Sequence, residues 1–121
     1  MVRLPAFLSV IALCAAPLPA GAHHGWADYH DEEFQLTGVV EAAELVQPHG
    51  RIRVRAQGGT WDVVLSPLAA IQRAGLTTRA VPKGARVTAH GHRHRNAGRL
   101  EMKTERLTVA GRTYDLYPNR R

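Results

Sequence analysis

The sequence predicts an all-β domain with one short helix, closed into a five-stranded Greek-key barrel. A small antiparallel β-sandwich is the competing architecture. Two observations carry the prediction. Three runs of strand character precede a single stretch of helical periodicity and two follow it. The chain is also short: 121 residues, of which the first 22 read as a leader, leaving 99 for one small domain and too few for two.

The elements follow in order. "HHGWADYHDEE" (23–33) reads as an irregular lead-in, and "FQLTGVVEAAELVQ" as a first strand with a bend at Gly38. "QPHG" is a turn, because Pro48 restrains the backbone and Gly50 tolerates unusual dihedrals. "RIRVRA" alternates strictly, with Ile52, Val54 and Ala56 on one face and Arg51, Arg53 and Arg55 on the other. "QGG" turns the chain into "TWDVVLS", where Trp61, Val63 and Leu65 share the core face. In "SPLAAIQRAGL" the period changes: Ser66 is a cap candidate, Pro67 opens a helix, Leu68, Ile71 and Ala74 recur at helical spacing, and Gly75 stops it. "VPKGARVTAHGHRHR" turns at Pro82–Gly84 into a fourth strand. "LEMKTERLTVAGRTYDLY" is the last strand, continued past a bend at Ala110–Gly111. Three strands, a helix and two strands is the order of an OB-fold, with barrel boundaries expected at 34–118 and a basic tail at 119–121.

The first 22 residues have the three parts of a secretory signal: Arg3, the apolar run "LPAFLSVIALCAAPL", and the small-x-small site "AGA". The run is short for a bilayer span, which needs about 20 residues. Cleavage after Ala22 would leave a periplasmic or secreted protein with no transmembrane segment. It would also remove Cys14, the only cysteine, and with it disulfides, thiolate metal sites and thiol nucleophiles. Charge is divided unevenly: residues 23–50 hold six acidic groups and no Lys or Arg, whereas residues 51–121 hold 15 basic groups and four acidic ones. An acidic first third suits a cation; a basic remainder suits an anionic partner.

All seven histidines, at 23, 24, 30, 49, 90, 92 and 94, follow the leader. Neutral imidazole is the commonest side-chain metal ligand. Without thiolates, imidazole with amine or carboxylate suits copper(II), zinc or nickel, copper binding tightest. "AHHGWADYHD", "LTGVV", "QPH", "GTWDVVL", "AGL", "PKGARVTAHG" and "GRTYDL" together resemble an uncharacterised family of small exported bacterial proteins. Its members run A-H-H-(S/G), T-G-x-V, N-P-H, a Trp-containing strand and G-x-x-V-T-x-x-G. This chain has Gln47 where the family shows Asn. The resemblance implies an exported β-barrel and supplies no activity.

If cleavage exposes His23, its amine and its own Nδ1 form a bidentate chelate that a distant imidazole completes. In ligand set alone this resembles the histidine brace of copper-dependent polysaccharide oxygenases and some periplasmic copper proteins. His49, stiffened by Pro48, is the first choice for the distant ligand and His24 the second; Asp28, Tyr29, His30 and Asp31 are outer or axial candidates. The alternative is a polar terminus with no metal, or zinc in place of copper. His90, His92 and His94 share one strand face at spacings of about 7 Å, wide for three ligands on one ion. They are expected on a solvated basic face with Arg93, Arg95 and Arg99, and count only as a loose secondary metal patch. Arg51, Arg53 and Arg55 form a ladder suited to an anionic envelope component; the few aromatics argue against nucleic acid. No G-x-S-x-G, H-E-x-x-H or paired-carboxylate motif appears, so the chain is not expected to be an enzyme. The expected role is copper handling (delivery, storage or protection), with another periplasmic copper protein as a candidate partner. The alternative is an envelope-interaction module that needs no metal.

Overall fold

A computed structural model describes Val2 and residues 25–120. The leader assigned to residues 1–22, Val2 apart, and the histidines at 23 and 24 fall outside the described residues. The elements are β1 (Phe34–Glu44), β2 (Arg51–Ala56), β3 (Gly59–Val64), α1 (Leu68–Ala74), β4 (Arg86–Arg93), β5 (Glu101–Val109) and β6 (Arg112–Asp115). β2, β1, β4 and β5 are joined by antiparallel ladders, and β3 pairs with β2. A parallel pairing of Asp62–Val64 with Glu101–Lys103 closes the circle. The result is the expected five-stranded OB-like barrel, with β6 folded back on the second half of β5. No helix among the described residues is long and apolar enough to cross a membrane.

Two irregularities shape the barrel. β1 serves both neighbours, pairing with β4 through Phe34–Val39 and with β2 through Val39–Glu44, and a bulge between Val40 and Ala42 lets it turn from one to the other. The bend expected at Gly38 is instead a close approach within a continuous strand: a Cβ there would lie 2.4 Å from the Arg55 carbonyl oxygen. A second bulge offsets β4 from β5 after His90, leaving Glu105 as the extra residue. Gly91 faces the β5 backbone so tightly that a Cβ would meet the Lys103 carbonyl oxygen at 1.9 Å.

Alternation fills the interior as the sequence predicts. Ile52, Val54, Trp61, Val63 and Leu65 are buried, joined by Val87, Ala89, Met102 and Leu107. Ile71 of α1 is fully buried against the barrel end, its Cδ1 occupying the place of a Gly50 side chain. Ser66 does not cap this helix. Pro67 takes the N-cap position without a side-chain bond, and the Ser66 hydroxyl is buried with no hydrogen-bond partner among the described residues.

Candidate functional site

The outer faces of β4 and β5 carry polar side chains, as alternation demands, yet these are not solvated. His92, His94, Glu101, Lys103 and Glu105 are all buried. Two segments cover them. The lead-in crosses the end of β4, bridging Tyr29 to His94 and donating from the His30 amide to the Arg93 carbonyl at 2.9 Å. The C-terminal stretch lies beside it, the Leu116 amide donating to the Glu105 carbonyl at 2.8 Å. The solvated face expected at "HGHRHR" is therefore confined to its rim. A strand can be read from alternation, but the chain that covers it lies dozens of residues away.

Burying charge without partners costs several kcal/mol, so each of these groups should be paired. Tyr29 donates its hydroxyl to Glu101 Oε2 at 2.6 Å, and Arg99 Nη2 donates to Glu101 Oε1 at 2.8 Å. Burial, and then the Glu101 hydrogen bond and charge, push the Tyr29 phenol far above its ordinary value of 10.0. His94 Nδ1 accepts from the Asn96 amide at 3.0 Å, which leaves the other ring nitrogen to carry the proton, facing Glu101 Oε2 at 3.9 Å. His92 is held at both nitrogens: Nδ1 meets the Glu32 carbonyl at 3.0 Å and Nε2 meets Glu105 Oε1 at 2.7 Å. Both ring nitrogens are thus taken up by protein oxygens rather than turned toward a metal. Arg120 Nε, 3.4 Å from Glu105 Oε1, joins that pair.

Among the described residues no carboxylate forms an ion pair with Lys103. Its ammonium lies 4.9 Å from the Trp26 ring centroid and 5.9 Å from that of Tyr117. The Arg120 guanidinium is 3.8 Å from the Trp26 centroid, and Tyr117 and His92 meet that ring edge-on at 5.0 and 5.7 Å. Trp26 is thus a clasp joining lead-in, barrel and C-terminal stretch. Burial, assisted by the Arg120 charge, lowers the Lys103 pKa. Gly25 abuts the same group: a Cβ there would lie 3.8 Å from Lys103 Nζ.

His49 occupies the turn between β1 and β2, half-buried, after a cis Gln47–Pro48 bond. Burial lowers its pKa first, and the Lys103 and Arg51 charges lower it further. The ring consequently stays neutral to lower pH than a free imidazole, keeping a lone pair for a metal. Asp28, His30 and Asp31 are exposed, with the Asp28 carbonyl tied to the Arg95 amide at 2.8 Å. His90 is half-buried on β4 opposite Gln35. Among the described residues no group of three or more His, Cys, Asp or Glu is placed to hold a metal ion. His23 and His24, the ligands that the sequence favours, are outside that set.

The arginine ladder points outward from β2 as expected, but carboxylates face two of its rungs. Arg51 pairs with Asp62, and Arg55 lies 3.9 Å from Glu41. Trp26, Lys103, Glu101 and Glu105 are the residues that sequence reasoning missed. The only signal for the last three was charge at every second position of "EMKTE", which by itself reads as an ordinary solvent face.

The fold and this covered face define a small single-domain β-barrel of OB type. The chain belongs to DUF6152, a family of unknown function, which it matches over residues 11–103, the His23–His24 pair included. No curated protein matches it. Among solved structures it is similar to a chain in the crystal structure of TiaS in complex with an isoleucine tRNA and ATP, at 14% identity and a TM-score of 0.51, over 64% of this chain and 18% of that one. It is also similar to a chain in the S. pombe Stn1–Ten1 complex, at 18% identity and a TM-score of 0.48, over 64% of this chain and 57% of that one. The first likeness bears on the fold alone.

Proposed function

We propose that the protein is an exported copper-binding protein that handles the metal for delivery, storage or protection, and that cleavage after Ala22 creates its site. The observation that carries this reading is the half-buried His49 imidazole, whose pKa is lowered first by burial and then by the charge of Lys103, the ammonium that Gly25 abuts. Two residues of chain span about 7 Å at most, so His23 starts within that reach of Gly25. On this proposal its amine and imidazole meet a half-buried imidazole kept neutral by its surroundings. His49 supplies the distant nitrogen, His24 is the alternative, and exposed Asp28 or His30 offers a weaker ligand. Nitrogen donors without thiolates favour copper(II) over zinc. Glu101 and Asp62, paired in register on β5 and β3, add negative charge to this part of the barrel, and Asp62 offsets Arg51.

The reading in which the arginine ladder grips an anionic envelope component draws less support, since Asp62 and Glu41 already face two of its three members. Copper(II) titration distinguishes the two. A chain beginning at His23 should bind one copper ion far more tightly than the same chain with one extra N-terminal residue, and His49→Ala should weaken the first. Equal affinity in the first two proteins would overturn the proposal.

A further inference from the structure

At the opposite side of β4 from His92, Arg93 turns toward the barrel mouth. Its guanidinium lies 4.9 Å from the Trp61 ring centroid and 5.9 Å from that of Phe34, and these two rings stack at 5.3 Å and 28°. Its hydrogen bond among the described residues is a long one, from Nη2 to the Ala97 carbonyl at 3.4 Å, and none of their carboxylates forms an ion pair with it. Every other feature of the surrounding cleft, about 590 Å³ in volume, is neutral. Phe34 and Leu100 are half-buried on its wall, and Gln35 and Gln57 stand exposed at its rim. The Trp61 indole is fixed by donation from Nε1 to the Gln57 carbonyl at 2.8 Å.

We propose that this cleft is a binding site for an acidic sugar, a hexuronate unit whose carboxylate pairs with Arg93. A guanidinium already stacked on aromatic rings keeps its N–H edge free, and that edge matches a carboxylate in bidentate geometry. The half-exposed Phe34 and Leu100 offer an apolar surface for the C–H face of a pyranose ring. Amide groups on Gln35 and Gln57 can both donate to and accept from hydroxyls. A cleft of this size suits a small ligand of one or two rings. An aromatic acid would satisfy Arg93 but leave the rim amides without partners; a neutral sugar would leave the guanidinium uncompensated. The face of an OB barrel is also a known place for oligosaccharides.

The test is titration of the chain beginning at His23, in metal-free buffer, with glucuronate, glucose and benzoate, following the indole N–H signals by NMR. Trp26, outside the cleft, is the internal reference. Glucuronate should shift the Trp61 signal saturably and leave Trp26 unmoved. Arg93→Gln should weaken that binding by about tenfold or more, the scale of one charge-assisted hydrogen bond, and Arg93→Lys should fall between. Both variants remove no core residue, and an unchanged Trp26 signal in the free protein verifies their fold. No saturable shift, an equal response to glucose, tighter binding of benzoate, or indifference to Arg93→Gln would each overturn the proposal.

Discussion

Trp26→Ala tests whether the clasp is what brings the chain terminus to His49. Arg120 and Lys103 lie 3.8 and 4.9 Å from the centroid of its ring. Contacts of this kind are worth about 1 kcal/mol each when partly desolvated. The edge-on contacts with Tyr117 and His92 add about 0.5 kcal/mol apiece. Their loss shifts the balance between clasped and released lead-in by about 3 kcal/mol, or roughly a hundredfold at 1.4 kcal/mol per decade. Tyr29 remains anchored to Glu101, so the barrel persists while the segment before it comes away. Copper(II) affinity of the chain beginning at His23, measured by competition with a chelating dye, should fall by about ten- to a hundredfold. Amide exchange should quicken at residues 25–28 and not in β1. Exchange that quickens with unchanged affinity would refute the reasoning, because release of the lead-in would then not matter to the metal.

Other consequences follow from the same contacts. Gly91→Ala forces a methyl group against the Lys103 carbonyl, and urea unfolding should show a loss of about 1–3 kcal/mol or outright failure to fold. Glu105→Gln weakens a buried carboxylate's pairing with His92 and Arg120, and should cost about 3 kcal/mol by the same assay. Alkaline titration followed by tyrosine absorbance should show the Tyr29 phenol, held protonated chiefly by burial and then by Glu101, ionising well above 10. Because the folded state holds that proton more tightly than the unfolded chain, the associated stability is fully present below pH 10 and declines as pH rises above it. In Tyr29→Phe that component of the alkaline decline should vanish. Ile71→Ala empties the plug of the barrel end and should cost about 2–5 kcal/mol in thermal or urea unfolding.

The barrel was legible because its information is local. Alternation in "RIRVRA" and "TWDVVLS" sets which side chains enter the core, and the break to helical period at Leu68–Ala74 marks the connection between β3 and β4. Ser66 misled because a serine before a proline looks like a cap, whereas Pro67 takes the N-cap position and the Ser66 hydroxyl is buried. The covered face was not legible. Nothing near "HGHRHR" or "EMKTE" says that Trp26 and Tyr29, more than 60 residues earlier, lie over them. Arg93 was likewise grouped with the solvated rim, although strand alternation puts it on the side opposite His92. The link between His49 and Gly25 runs through the charge of Lys103, a residue without motif value of its own.

The central claim is that His49 and a processed His23 share one copper ion. Pulsed electron paramagnetic resonance on the copper-loaded chain beginning at His23 counts the imidazoles coupled to the metal. The account predicts two coupled imidazoles in the native chain and one in His49→Ala. Identical spectra from the two proteins would contradict it.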